Sequence, residues 1–207
     1  MSLSQRYFAA LMRLADGAQE RQYGERKDRL FAEIAPGDRV VEIGPGTGVN
    51  LAHLPPGVRY TGVEPNPHMH AALRRKAEAR GMEAQMHEAR AEALPLDDDR
   101  ADAVISTLVL CSVDAPAQAL AEVRRVLSSG GRFHFLEHVA AAAGSARRRV
   151  QRAVKPAWRR LADGCRPDQR TGALIRAAGF ADVQIDRFPS GSALNPVRPH
   201  VAGVART

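Results

Sequence analysis

The 207-residue sequence is poor in several residue types, and each shortage excludes a class of protein. Two cysteines are too few for a disulfide-stabilised secreted framework, so we expect a reducing, cytoplasmic location. No apolar run approaches the roughly 20 residues that a transmembrane helix needs, and the N-terminus lacks the apolar core of a signal peptide. Aromatic residues make up only 5% of the chain and no known nucleic-acid-binding module is present, which argues against a nucleic-acid partner.

Lysine is also scarce, since only Lys27, Lys76 and Lys155 stand among the 30 basic residues and the remainder are arginines. The formal net charge is +7, and most of the arginines are spread along the chain, as codon usage in a GC-rich genome would produce. One cluster lies between residues 147 and 160, where basic residues accompany an apolar stripe at helical spacing. A solvated helix face is the usual explanation, and peripheral contact with an anionic membrane surface or an acidic substrate is the alternative.

The chain does contain a glycine-rich turn between two apolar segments, 39–43 and 59–63, that are expected to be buried strands. The turn reads Gly44-Pro45-Gly46-Thr47-Gly48. Glycine lets the backbone approach a ligand without a Cβ in the way, which is typical of the nucleoside-binding halves of α/β sheets. Glu64 follows the second strand, where its carboxylate can accept hydrogen bonds from ribose hydroxyls.

The spacing of these glycines and the nearby acids narrow the choice of nucleoside. Dinucleotide sites use G-x-G-x-x-G, whereas Val49 occupies the third glycine position here and Pro45 removes one N–H from the turn. Glu42, just before the turn, can bind an ammonium group but would repel a phosphate. Together with Glu64, these features resemble motif I and the following acidic position of class I S-adenosylmethionine (SAM) methyltransferases.

This resemblance implies SAM as the cofactor and assigns further contacts to it. The stretch Ala91-Glu92-Ala93-Leu94-Pro95 matches the position where many such enzymes meet the adenine, although Arg90 replaces their usual Asp. The implied cofactor-binding residues are Glu42, Gly44, Pro45, Gly46, Thr47, Gly48, Glu64, Pro65, Ala91, Glu92 and Leu108.

Strand and helix patterns alternate along the remaining chain and predict an α/β fold. Strands are predicted at 39–43, 59–63, 83–87, 102–110, 132–137, 182–188 and 200–206, and helices at 67–80, 115–127, 147–160 and 168–178. The resemblance implies a single-domain, Rossmann-like class I methyltransferase with a seven-stranded, mostly parallel sheet, helices on both faces and a reversed last strand.

Two helices, 2–15 and 19–34, are predicted before the first strand. We expect residues 1–37 to form a helical lid over the SAM pocket and residues 38–207 to form the SAM-binding methyltransferase domain. A plain packing role is the alternative for these helices, and helix 2–15 could instead contact a membrane surface.

Four later stretches carry a second resemblance: Thr107–Val113, Glu137–Ala140, Pro156–Trp158 with Asp163–Cys165, and Val197–His200. They are similar to stretches of the methyltransferase-like proteins that S-methylate small alkyl and aryl thiols. Membrane-anchored members of that group begin with a hydrophobic helix, whereas this chain begins with an amphipathic one. The resemblance implies methyl transfer from SAM to a small thiol. N- or O-methylation of a natural product or a phospholipid head group is one alternative, and a non-catalytic SAM-binding regulatory protein is another.

The sulfonium of SAM is already activated, so transfer needs neither a metal nor a covalent intermediate, only an acceptor held in line with the methyl group. A thiol, with a pKa of about 8.5, needs modest electrostatic help to become a thiolate. His138 is the first candidate for a base or orienting group, at the end of the fifth strand. His200 beside Arg198 could supply positive potential, and Asp163 could polarise a neighbouring group. Purely structural roles at a strand end or turn are the alternative for all three.

Three further residues are assigned to the acceptor pocket: Cys111, Ser112 and Trp158. Cys111 and Cys165 are interpreted as pocket or core residues, because two cysteines without C-x-x-C spacing do not predict a metal site. Nothing in the sequence indicates an oligomeric state.

Overall fold

The sheet of this protein has seven strands in the order β3-β2-β1-β4-β5-β7-β6, in a computed structural model that describes residues 3–207, with side chains from residue 5 onward. The strands are β1 (Arg39–Ile43), β2 (Arg59–Val63), β3 (Ala84–His87), β4 (Ala101–Thr107), β5 (Leu127–His138), β6 (Asp182–Pro189) and β7 (Pro199–Arg206). Strand β7 is antiparallel to both of its neighbours, and the other pairs are parallel. The predicted seven-stranded, mostly parallel α/β sheet with a reversed last strand is confirmed.

The helices cover both faces of this sheet. They are α1 (Leu3–Leu30), α2 (Pro67–Ala79), α3 (Pro116–Val126), α4 (Ala146–Leu161) and α5 (Thr171–Ala177), and a short 3-10 helix, Val49–His53, follows the glycine turn. Successive residues of a strand point to opposite faces, so β1 contributes to two separate apolar clusters. Val41 and Ile43 pack with residues of α3 and α5, whereas Val40 packs with residues of α1 and α2.

Helix α1 differs from its prediction, because it is one continuous helix rather than two. Gly17 lies within it, and an interior glycine costs a helix only about 1 kcal/mol relative to alanine, which tertiary packing can offset. The C-terminal part of α1 belongs to the core, since Tyr23 and Leu30 are buried in the apolar cluster on one face of the sheet. Whether residues 1–37 act as a lid separate from residues 38–207 therefore stays a prediction. No helix within residues 3–207 is long and apolar enough to cross a bilayer.

Strand β4 also ends earlier than predicted, at Thr107 instead of residue 110. Leu108 adopts a left-handed backbone conformation with φ of 59°, which turns the chain out of the sheet. The buried carboxylate of Glu137 holds this turn, because its Oε1 accepts hydrogen bonds from the backbone N–H groups of Val109 and Leu110, both at 3.1 Å. The residues after β4 are thereby presented at the carboxyl edge of the sheet, where open α/β folds bind ligands.

Candidate active site

A cavity of about 640 Å³ opens at the carboxyl ends of β1, β2, β4 and β5. This volume lies within the range of small-molecule sites. Phe8, Met12 and Asp16 of α1 line one side of the cavity, and Trp158 of α4 lines another. Most of the residues predicted for the cofactor and the acceptor line this cavity, with Gly48 and His200 as the exceptions. Which of them contact a ligand stays a prediction.

The three glycines of the turn differ in what they do. All have positive φ, which favours glycine, but a Cβ on Gly44 would also lie 2.7 Å from a methyl carbon of Val109. A Cβ on Gly46 would meet no described atom within 4 Å, and Gly46 lines the cavity, so this residue leaves open space for a ligand. Gly48 packs against Leu73 behind the turn and does not line the cavity, which indicates a structural role.

Glu64 lies at the centre of the cofactor end of the cavity. Its Oε2 accepts a hydrogen bond from Gly46 N at 3.0 Å, and its Oε1 accepts one from Asn66 N at 2.9 Å. Burial raises the pKa of the Glu64 carboxyl, and these two hydrogen bonds oppose that effect. A carboxylate oriented in this way keeps lone pairs for a second set of donors, such as the two hydroxyls of a ribose.

Glu42 belongs to a buried network beneath the turn. Its two oxygens accept hydrogen bonds from Asn50 Nδ2 at 2.7 Å and Tyr60 Oη at 2.6 Å. Asn50 also donates to Thr107 Oγ1 at 2.9 Å, so the network joins β1 to the end of β4. Burial raises the pKa of the Glu42 carboxyl, which these donors oppose. Asn50 and Thr107 line the cavity but were not predicted as site residues, although Thr107 begins one of the stretches that resemble the thiol methyltransferases.

Helix α1 is tied to the glycine turn by a polar contact that was also not predicted. Thr47 Oγ1 donates to Asp16 Oδ1 at 2.6 Å, and Lys76 of α2 forms an ion pair with Asp16 Oδ2 at 2.7 Å. Asn66 Nδ2 donates to the backbone oxygen of Gln5 at 3.0 Å near the start of the helix. These contacts hold α1 against the glycine turn, beside the cavity that Phe8, Met12 and Asp16 line.

The stretch assigned to adenine forms a polar rim. Arg90, which replaces the usual Asp, bonds to Asp114 at 2.6 Å and to Glu92 at 3.4 Å. Glu92 in turn accepts a hydrogen bond from Asp114 N at 3.0 Å, so its carboxylate fixes the loop after β4. Pro65, Ala91 and Leu108, also predicted for the cofactor, line the cavity with these residues.

At the other end of the cavity, one imidazole and two thiols converge. The Nε2 of His138 lies 3.0 Å from Cys165 Sγ, and Trp158 Nε1 donates to the same sulfur at 3.3 Å. A ring nitrogen of His138 and the sulfurs of Cys111 and Cys165 all lie within 4.8 Å of one another. Ser112 lies beside them, with its Oγ 3.7 Å from Cys111 Sγ. The predicted acceptor residues therefore do come together.

This arrangement shifts the pKa values of the two thiols in opposite directions. The hydrogen bond from Cys111, with those from His138 and Trp158, lowers the pKa of Cys165 to about 5. The hydrogen bond with Cys165, together with burial, raises the pKa of Cys111 well above its usual range. This arrangement favours the thiolate form of Cys165 and the protonated form of Cys111. The prediction of ordinary pocket or core cysteines missed this convergence, since 54 positions separate the two in the chain.

The remaining catalytic candidates have different surroundings. His200 lies opposite His138 across β5 and β7 but is buried behind it, with Nδ1 2.9 Å from the backbone oxygen of Arg198. Its Nε2 accepts a hydrogen bond from Tyr23 Oη at 2.8 Å. Burial lowers the pKa of His200 to about 4, so the ring is neutral at pH 7 and the structure does not support it as a source of positive potential. Asp163 lines the cavity, and partial burial raises the pKa of its carboxyl.

Comparison with known proteins is consistent with this geometry. Residues 41–135 match the family model described as a methyltransferase domain. The human thiol S-methyltransferase TMT1B is 36% identical over 98% of this chain and 87% of its own length. The human thiol S-methyltransferase TMT1A is 34% identical over 89% of this chain and 79% of its own length. A SAM-dependent methyltransferase structure from Thermotoga maritima superimposes with a TM-score of 0.70 at 23% identity, covering 100% of this chain and 99% of that one, which supports the fold.

Proposed function

The chain belongs to the family of SAM-dependent methyltransferases that includes the thiol S-methyltransferases TMT1A and TMT1B, and on this premise we propose that its acceptor is a small thiol. The enzyme transfers the methyl group of SAM to a small molecule. The proposal concerns the atom that receives this methyl group and the residues that assist the transfer.

The observation that carries the proposal is the chemical contrast between the two ends of one cavity. Carboxylates and open glycine backbone lie at one end, which suits the ribose and ammonium groups of SAM. The other end offers imidazole, thiol and indole groups from His138, Cys111, Cys165 and Trp158. Such soft, weakly hydrated groups suit a sulfur nucleophile better than an amine or a hydroxyl.

In the proposed reaction, the acceptor sulfur attacks the methyl carbon in line with the sulfonium, whose bond to that carbon breaks. The electron pair of that bond remains on the sulfur of the product S-adenosylhomocysteine, and the acceptor thiol releases its proton to solvent. We propose that the imidazole of His138 holds the acceptor sulfur as a thiolate. Helix α1 and Trp158 narrow access of water to the cavity, which favours transfer over side reactions.

The test is incubation of the purified protein with SAM and matched panels of alkyl and aryl thiols, amines and phenols. We expect mass spectrometry to show products heavier by one CH₂ unit from thiols, with equimolar S-adenosylhomocysteine. The controls are one reaction without SAM and one with S-adenosylhomocysteine added in excess. Products formed only from amines, phenols or phospholipid head groups would refute the thiol assignment.

We also propose a cytoplasmic enzyme that contacts anionic membrane surfaces through α4. Arg149 and Arg160 lie about three helical turns apart, on one face of α4, with Arg152 and Arg159 beside them. All four are exposed, and their guanidinium groups have no hydrogen-bond or ion-pair partner among the described residues. Trp158 faces the cavity on the other side of the helix. Basic residues near an anionic lipid surface contribute about 1 kcal/mol each.

Vesicle co-sedimentation tests this contact. We expect binding to vesicles that contain phosphatidylserine, little binding to phosphatidylcholine vesicles, and loss of binding as salt is raised. Replacing Arg149 and Arg160 by glutamine should weaken the binding, whereas replacing Arg59 and Arg75, two exposed arginines outside α4, should not. Equal binding to both kinds of vesicle would contradict the proposal.

A further inference from the structure

Three buried side chains at the acceptor end of the cavity come from three separate parts of the fold. Cys111 follows β4, His138 ends β5, and Cys165 follows α4. Each is at most 8% exposed, and their potential ligand atoms lie within 4.8 Å of one another. The site is therefore assembled by the tertiary structure, and the spacing of the three residues in the sequence does not predict it.

The donor set is the one that zinc prefers. Tetrahedral Zn²⁺ sites use thiolate sulfur at about 2.3 Å and imidazole nitrogen at about 2.0–2.1 Å, which places neighbouring ligand atoms about 3.5–3.8 Å apart. The pair His138 Nε2 and Cys165 Sγ, now at 3.0 Å as a hydrogen bond, needs to separate by only about half an ångström to reach that spacing. Cys111, a thiol in the metal-free protein, would release its proton to solvent when the ion binds, and two thiolates with a neutral imidazole would then balance the charge of the ion.

The site has three protein ligands, which is the number found in catalytic rather than structural zinc sites. Structural zinc sites have four protein ligands, whereas catalytic ones have three and leave a fourth position open. Cys111, His138 and Cys165 are three, and all of them line the cavity. The open position would therefore face the space in which the acceptor lies.

We propose that Cys111, His138 and Cys165 bind Zn²⁺, and that the fourth coordination position takes the sulfur of the acceptor thiol. The second half of this statement rests on the proposed function. On binding to the ion, the thiol loses its proton to solvent and becomes a metal-bound thiolate. That sulfur attacks the methyl carbon, and the electron pair of the broken bond stays on S-adenosylhomocysteine. The thioether formed is a neutral, weaker ligand and leaves the ion.

The first experiment measures the metal itself. The untagged protein is incubated with Zn²⁺, separated from free ion by gel filtration, and its metal content is measured by mass spectrometry. Co²⁺ is used as a spectroscopic substitute, because thiolate ligands give an intense near-ultraviolet charge-transfer band. We expect about one ion per chain and a cobalt–thiolate band in the unchanged protein, and loss of both in Cys165→Ser and Cys111→Ser.

The matched control is His87→Gln, which changes a partly buried histidine at the end of β3 that does not line the cavity. It should retain the ion and the band, whereas His138→Gln should lose them. SAM affinity is measured for every variant, because a variant that still binds SAM is folded. If one cysteine variant fails to fold, the other carries the test.

The outcomes separate this inference from the proposed function. The zinc site is overturned if the unchanged protein binds no Zn²⁺, or if the cysteine variants bind as much as it does. Either result counts against the site even where thiols are methylated. Both the zinc site and its thiol acceptor are supported if the variants lose Zn²⁺ binding and if the metal-free protein is inactive on thiols until Zn²⁺ is restored. Zinc binding together with methylation of amines alone supports the site but refutes the thiol acceptor.

Discussion

The two ends of the cavity are built in different ways. Most of the cofactor end comes from one continuous stretch, β1 to Asn66, and its key carboxylate, Glu64, is held by backbone N–H groups of Gly46 and Asn66. The acceptor end draws Cys111, His138 and Cys165 from separate loops and strand ends, and its contacts join side chains to one another. The SAM end is thus shaped by local backbone geometry. The acceptor end is shaped by side chains that only folding brings together.

This comparison predicts that the two ends can be damaged separately. A change at the acceptor end should lower turnover without altering SAM affinity. A change at the cofactor end should weaken SAM affinity without lowering turnover, once SAM is saturating. Four variants, taken from the largest expected effect to the smallest, test that separation.

The largest effect is expected for His138→Ala. Loss of the imidazole removes the group that we propose holds the acceptor sulfur as a thiolate, and such groups typically contribute about 10²–10⁴ in rate. We expect kcat with a thiol to fall by at least about 100-fold, while the Kd for SAM changes by less than about twofold. Steady-state kinetics and calorimetry measure the two quantities, with His87→Ala as the control. Unchanged turnover would remove His138 from the mechanism.

Glu64→Ala should damage the cofactor end alone. The variant loses the carboxylate proposed for the ribose and leaves the N–H groups of Gly46 and Asn66 without their partner. We expect SAM binding to weaken by about 1–3 kcal/mol, as for a charge-assisted hydrogen bond. Isothermal calorimetry measures the Kd, and Glu83→Ala, an exposed acid before β3, serves as the control. An unchanged Kd would contradict the assignment of Glu64.

Asp16→Asn tests the contact between α1 and the turn. The substitution keeps the shape of the side chain but removes the charge that pairs with Lys76 at 2.7 Å. Since this ion pair is partly exposed, we expect a loss of about 1 kcal/mol, seen as SAM dissociation several-fold faster in stopped-flow experiments. Glu25→Gln, an exposed acid elsewhere on α1, should dissociate SAM at the normal rate. If both variants release SAM alike, the contact does not retain the cofactor.

The smallest effect is expected far from both ends, at the salt bridge between Arg39 and Asp102, the first residue of β1 and the second of β4. Hydrogen bonds from Arg39 lower the pKa of Asp102 to about 2, below the value of about 3.9 in an unfolded chain. The folded state therefore favours the ionised carboxyl. This contribution to stability is fully present above about pH 4 and is lost as the pH falls toward 2.

Asp102→Asn should accordingly lower the free energy of unfolding by about 1 kcal/mol or less at neutral pH, because the pair is about one-third exposed. The difference from the unchanged protein should shrink between pH 4 and pH 2, as followed by urea unfolding. SAM affinity and turnover at pH 7 should not change. A difference independent of pH would show that the ion pair is not the cause.

Much of the fold was predictable because its signals are local. The predicted boundaries of β1 and β2 match the structure, since apolar runs bounded by glycine and proline mark buried strands clearly. The end of β4 was not predictable, because Leu108 is turned out of the sheet by Glu137, a residue of another strand. The same reason explains α1, where packing of Tyr23 and Leu30 on the core carries the helix past Gly17.

The sequence by itself determined the family, the cofactor and the order of elements, because glycines, flanking acids and hydrophobic periods act over a few residues. Only the tertiary structure decided that Cys111 and Cys165 face one imidazole, that His200 is neutral, and that Asp16 holds α1 to the turn. Proton affinity and ligand geometry depend on which groups lie within a few ångströms of each other, and chain positions far apart in sequence do not reveal that distance.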